Sequence, residues 1–169
     1  HKGATTADGF FTSLSKNPDG FSTAPASIQK FYNVFEEYVK QGKGILCPTI
    51  STGLSATYNF ACTAAKQIKE KYPEAEIECV DSLRVSAGLG LMAIHASQLR
   101  AQGKTLKETA DYLEKNKFRF RQTGWLDDLS FVAKKGRITN SKAFFGKLIG
   151  IKPVGEFDSN GLPTVITKA

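Results

Sequence analysis

The stretch Gly44-Ile-Leu-Cys-Pro-Thr-Ile-Ser-Thr-Gly-Leu-Ser-Ala-Thr-Tyr58 constrains the fold more than any other, because a short apolar run breaks into a glycine-containing cluster of hydroxyls. It reads as a strand over residues 45–50, a loop, and then a helix. Tyr58, Ala61, Ala65 and Ile68 recur at helical spacing down to Lys71, so the helix is expected to begin near Gly53 or Leu54. Such a start sets free backbone N–H groups and the positive end of a helix dipole beside Ser51, Thr52 and Ser55. Open α/β sheets bind ligands at the carboxyl ends of their strands, and a junction of this kind suits a small anion. No Lys or Arg lies between Gly44 and Lys66. Neutral hydroxyls and amides point to a singly charged group such as a carboxylate, since a polyphosphate demands a cation at close range. The same hydroxyls also suit a plain helix cap, and both uses stay open at this level.

Strand and helix signals alternate through the first two thirds of the chain. Thr5 or Thr6 opens a short helix carrying Phe10, Phe11 and Leu14, ended by the turn residues Asn17-Pro-Asp-Gly20. Ser22-Thr-Ala-Pro25 is expected to start the next helix, with Ile28, Phe31, Val34, Phe35 and Tyr38 as its apolar stripe until Gly42. Glu76-Ile-Glu-Cys-Val80 alternates like a half-buried strand, and a helix carrying Leu89, Met92, Ala96 and Leu99 follows it. Thr105-Leu-Lys-Glu108 is a capping-box start for a helix to about Lys117. Repeated strand–helix units imply an α/β fold with a parallel sheet flanked by helices. Beyond Gly124 the pattern shortens, and two strands at 151–157 and 163–167 around Asp158-Ser-Asn-Gly161 suggest a hairpin. The expected division is an α/β domain over 1–123, incomplete at its N-terminus, and over 124–169 the beginning of a second α/β domain containing antiparallel strands.

Composition narrows the class. With 169 residues, 41% hydrophobic and 23% charged, the chain can bury an ordinary core and is not of disordered type. Its apolar runs fall far below the ~20 residues that span a bilayer. Cys47, Cys62 and Cys79 are odd in number and without a Cys-x-x-Cys pair, which fits a reducing, cytoplasmic setting. The net charge of +7 could attract an anionic partner, and a basic nucleic-acid-binding module is one reading of it. The basic residues sit at helix ends without an aromatic-and-basic groove, so solvated faces explain them and no nucleic-acid partner is expected. The chain starts at His1 and ends on an apolar run, which is expected of a piece of a longer protein.

No catalytic or metal constellation stands out. His95, the single internal histidine, lies among Ala93, Ile94 and Ala96, with no Gly-x-Ser-x-Gly elbow to serve. Asp127 and Asp128 are sequence neighbours and do not face each other on a helix or strand, which weakens a paired-carboxylate reading. Gly88-Leu-Gly90 lacks the third glycine of a dinucleotide loop, so close helix packing explains it better. Lys134-Lys-Gly-Arg-Ile138 presents Arg137 on a glycine turn, either aimed at an anion or closing a solvated helix end. A phosphoryl-transfer or hydrolase domain using the Ser/Thr loop is the enzymatic alternative, though it lacks a base and a metal site.

Taken in order, these segments resemble the DegV family of bacterial fatty-acid-binding proteins. Ser22-Thr-Ala-Pro25 is similar to the family's Thr-Ser-Gln-Pro segment, and Ile50-Ser-Thr-Gly-Leu-Ser-Ala-Thr-Tyr58 to its Ile-Ser-Ser-x-Leu-Ser-Gly-Thr-Tyr signature. Asp81-Ser82, Gly88-Leu-Gly90, Asp127-Asp-Leu129, Lys135-Gly-Arg-Ile138 and Ile151-Lys-Pro153 match later landmarks. The family's opening strand with its Thr-Asp-Ser-Thr loop has no counterpart here, nor does its C-terminal part. Ala24 stands for Gln, Ala56 for Gly, and Lys135 for a second Gly.

The resemblance implies a two-domain α/β carrier that encloses one long-chain fatty acid in an apolar tunnel. It further implies presentation of that acid to a fatty acid kinase subunit, which makes acyl-phosphate for phospholipid synthesis. The chain itself would then carry out no catalysis and need no cofactor beyond the bound acid. Partners expected are the fatty acid and the kinase, with transient contact at a membrane surface compatible and no transmembrane segment. Thr23, Ser51 and Thr52 are the leading carboxylate ligands expected, Ser22 and Ser55 further candidates, and Arg137 serves anion recognition or partner docking.

Overall fold

Alternation along two short strands builds the first core by sending successive side chains to opposite faces. The computed structural model describes residues 5–125, 136–137 and 153–168. Its elements are helices α1 (Ala7–Lys16), α2 (Ile28–Val39), α3 (Thr57–Lys71), α4 (Ser86–Ala101) and α5 (Leu106–Asn116), with strands β1 (Ile45–Thr49), β2 (Ile77–Asp81), β3 (Gly124–Trp125), β4 (Pro153–Phe157) and β5 (Pro163–Lys168). Strands β1 and β2 pair in parallel with Cys47 opposite Cys79 and Thr49 opposite Asp81. Ile45, Cys47, Ile77 and Cys79 meet Phe35, Ala61, Ala64 and Ile68 of α2 and α3. Leu46 and Val80 meet Met92, Ala96, Ala110 and Leu113 of α4 and α5. Both faces of the parallel pair are therefore covered by helices, as a crossover sheet requires. No helix among the described residues is long and apolar enough to cross a membrane.

The antiparallel sheet runs β3–β4–β5. The turn between β4 and β5 is held by Asp158, whose Oδ1 accepts from the N–H of Asn160 (2.8 Å) and Leu162 (3.0 Å). The hairpin signal in the sequence thus has a local cause, an Asx-type turn closed by Gly161 at φ +71°. Strand β4 begins at Pro153, and Ile151 and Lys152 of the expected strand lie outside the described residues. So do Asp127, Asp128, Lys134, Lys135 and Ile138.

Two helix starts differ from expectation, and both differences matter for the site. Helix α2 begins at Ile28 because Ser27, in extended conformation, caps it by accepting from Lys30 N (3.3 Å). Pro25 disfavours helix at Ala24, so residues 21–27 stay non-helical and Thr23 is carried along the loop. Helix α3 begins at Thr57, three to four residues later than the sequence suggested. Residues 51–55 form their own turn instead, with Leu54 N (3.0 Å) and Ser55 N (3.1 Å) donating to Ser51 O.

Candidate functional site

The carboxyl ends of β1 and β2 meet the hairpin turn of the other sheet, and Ser51 is the joint. Its side chain is buried, and its Oγ donates to Gly161 O at 2.7 Å while accepting from Gly53 N at 3.1 Å. The approach is close enough that a Cβ on Gly161 would lie 2.0 Å from Ser51 Oγ, and one on Gly53 2.8 Å from Asn160 O. Beside it, Thr52 Oγ1 donates to Asp81 Oδ2 (2.5 Å), and Asp81 Oδ1 also accepts from Leu83 N (3.1 Å). Leu83 and Ser86 both sit at positive φ, +50° and +41°. That strained loop is overdetermined: Ser82 Oγ donates to Arg84 O (3.1 Å), and Arg84 O accepts from Ser51 N (3.0 Å).

Between the joint and the antiparallel sheet lies a cavity of about 790 Å³, within the range of roughly 300–1,000 Å³ usual for small-molecule sites. Ile50, Leu54, Val85, Trp125, Phe157, Pro163 and Val165 supply its apolar wall, and Trp125 is 71% exposed. Thr23, Ser55, Thr57, Gln122, Thr123, Thr164, Glu156 and Arg137 supply its polar atoms. Helix α3 enters this cavity with Ala56 as its N-cap, a residue with no side-chain acceptor, and Ser55 Oγ accepts from Thr57 N at 3.3 Å. Ser55 Oγ and Thr57 Oγ1 bond each other at 2.7 Å, so the pair spends one hydroxyl proton and retains the second for a ligand or water. Arg137 follows Gly136, at φ +67°, and its Nε donates to Leu54 O at 3.1 Å. Glu156 carries a negative charge into the wall, balanced by Arg121 at 2.7 Å.

Of the residues singled out from the sequence, the structure brings Thr23, Ser55 and Arg137 together on the cavity wall. Ser51 and Thr52 stand behind it, their hydroxyl protons directed to Gly161 O and Asp81. Ser22 is exposed and lies outside the lining. Sequence reasoning missed Thr57 and Thr164, and it missed Gln122, whose Oε1 accepts from Gly88 N (2.9 Å) and Val85 N (3.3 Å). The last has no local signature, since a glutamine in a basic stretch carries no motif. Asp81 entered only as a landmark, although its carboxylate organises both loops.

Other reactive groups lie apart from this cavity. His95 packs its ring against Tyr112 (5.1 Å) and Phe120 (5.8 Å). Cys47, Cys62 and Cys79 are all free thiols. Cys47 and Cys79 face each other across the sheet, which lowers the pKa of the Cys47 thiol and raises that of Cys79. Burial and the Cys62 thiol push the Tyr58 phenol up to about 12, so it stays neutral. Burial also lowers the pKa of Arg84 from its ordinary value. Among the described residues no three His, Cys, Asp or Glu side chains gather as a metal site.

This arrangement has relatives. A DegV domain-containing protein of Clostridium perfringens is 38% identical over 133 residues, 79% of this chain and 46% of its own length. The chain thus spans about half the length of the curated relatives it matches. Among solved structures, one described as "Fatty Acid Binding of a DegV family Protein from Thermus thermophilus" superposes with a TM-score of 0.77 at 25% identity, covering 94% of this chain and 56% of that one. A fatty acid (stearic acid)-binding protein from Eubacterium ventriosum gives 0.81 at 25% identity, covering 98% and 56%. The sequence profile described as "Uncharacterised protein, DegV family" matches residues 2–169. With the ordered motifs, the two sheets and the profile in agreement along nearly its whole length, the chain belongs to the DegV family.

Proposed function

We propose that this chain binds a long-chain fatty acid in the cavity between its two sheets, with the carboxylate held by Ser/Thr hydroxyls and the tail along the apolar wall. The observation that carries the reading is the pairing of that wall with a cluster of neutral donors at the start of α3, where the cap residue Ala56 brings no side-chain acceptor. A carboxylate there gains from the helix dipole and from hydroxyl donors without requiring a buried lysine. Ser55, Thr57 and Thr23 are the direct ligands in this account, and Arg137 adds charge at the rim. Ser51 and Thr52, expected as ligands from sequence, act by holding the loop that presents them, and Ser22 flanks Thr23. The related proteins named for fatty acid and stearic acid binding support the ligand class.

The fuller reading is that the acid is presented to a fatty acid kinase for acyl-phosphate formation, with this protein as a cytoplasmic carrier and 124–169 opening a second domain. Mass spectrometry of lipid extracted from the natively purified full-length protein tests the ligand: one acyl chain per protein is expected. Recovery of none, together with no uptake of added oleate, contradicts it. Acyl-phosphate formation by the kinase with and without the loaded protein tests the transfer, and equal rates would exclude it.

A further inference from the structure

Two helix N-termini converge on the cavity, and they are treated differently. The start of α3 has only its neighbour Ser55, whose Oγ accepts from Thr57 N at 3.3 Å, whereas the start of α4 is covered from a distant segment by Gln122. Gln122 Oε1 accepts from Gly88 N at 2.9 Å and Val85 N at 3.3 Å. An amide turned the other way would set its NH2 against two N–H donors, so chemistry alone fixes which end faces the helix. Its Nε2 takes no partner among the described residues, and Gln122 lines the cavity.

The seat is tight on both sides. A Cβ on Gly88 would lie 2.3 Å from Gln122 Oε1, so a larger residue there displaces the oxygen from the helix. On the other side, Arg84, itself only 4% exposed, donates from Nε to Phe120 O (2.8 Å) and from Nη1 to Leu83 O (2.8 Å). That clamp fixes the backbone two residues before Gln122.

We infer that Gln122 is a head-group residue of this site, its oxygen closing the α4 N-terminus and its amide NH2 donating to the ligand's carboxylate. The inference rests on the fatty-acid reading and deepens it. Closing α4 leaves the α3 end, with its Ser55 and Thr57 hydroxyls, as the preferred seat for the carboxylate, and the uncharged donor adds a bond without an ion pair. A glutamine thereby selects an ionised acid over a neutral lipid of equal chain length, because a charge-assisted bond is about twice as strong as a neutral one.

Gln122→Glu separates the two ends of the side chain. A carboxylate oxygen still accepts from Gly88 and Val85 and suits the helix dipole, so the fold is retained. The donor is replaced by a negative charge. Binding of oleate and of oleyl alcohol to the full-length parent and variant is measured at pH 8. The expected result is a fall of about tenfold or more in the ratio of oleate to alcohol affinity, the size of one lost charge-assisted bond. Gly88→Ala, which displaces the glutamine without adding charge, should lower the same ratio more modestly. An unchanged ratio in both variants, equal losses for both ligands, or failure of Gln122→Glu to fold overturns the assignment. Failure of the parent to bind oleate at all overturns the fatty-acid reading instead.

Discussion

At the scale of single residues, the joint between the sheets rests on an atom that is missing. Gly161 combines a left-handed φ of +71° with a Cβ position 2.0 Å from Ser51 Oγ. Gly161→Ala should destabilise by about 1–3 kcal/mol from backbone strain, with the collision adding to it. Ser51→Ala leaves Gly161 O and Gly53 N without their partner, at about 1–3 kcal/mol for a buried unsatisfied group. Combining the two relieves the collision, so urea melts of the double variant should show less than the sum of the single losses. Strict additivity would mean that the hairpin does not sit on Ser51. Arg137 belongs to the opposite case: it is exposed, and its Nε bonds the loop carbonyl of Leu54. Arg137→Ala should shift stability by about 0.5 kcal/mol or less yet weaken oleate binding by roughly 1.5–3 kcal/mol. A sharp fall in melting temperature with unchanged oleate affinity would make it structural.

At the scale of elements, α2 and α3 are joined by Glu36, which accepts from Lys71 (2.8 Å), Lys40 (3.0 Å), Tyr72 (3.1 Å) and Tyr32 (3.2 Å). Lys71 first and Lys40 second lower its pKa from 4.5 to about 2. A depressed carboxylate binds its proton later in the folded chain than in the unfolded one, so its contribution is present above pH 4.5 and is lost as pH falls toward 2. Glu36→Gln should flatten the pH dependence of melting within that window and leave the slope above pH 5 unaltered; an identical slope in parent and variant would contradict it. Elements with local causes were legible in the sequence. The Thr105–Glu108 capping box and the Thr6 cap form as their spacing indicates, because donor and acceptor are three residues apart. The start of α3 was not legible, because residues 51–55 are held in a turn that packs on the hairpin, and Ser51 meets Gly161 across 110 residues of chain. Strand β3 escaped for the related reason that two residues carry no period, and only pairing with β4 makes them a strand.

At the scale of the whole molecule, order along the sequence revealed the family and the two kinds of sheet, while the cavity could be seen only once they were assembled. Thr23 and Ser55 were found from hydroxyl clusters at loop ends, and the structure sets both on one wall. Thr164 and Gln122 come from distant segments with no signature of their own, and tertiary contact alone recruits them. The account's central claim is that an ionised carboxylate sits among neutral donors at the start of α3. Carbon-13 NMR of carboxyl-labelled oleate bound to the full-length protein, titrated with acid, tests it most directly. Donors that bond the charged form lower a carboxyl's titration midpoint, and an apolar site raises it. The account predicts one bound resonance that stays ionised below the ordinary carboxylate midpoint of about 4.3; a midpoint raised above that value, or no bound resonance, would contradict it.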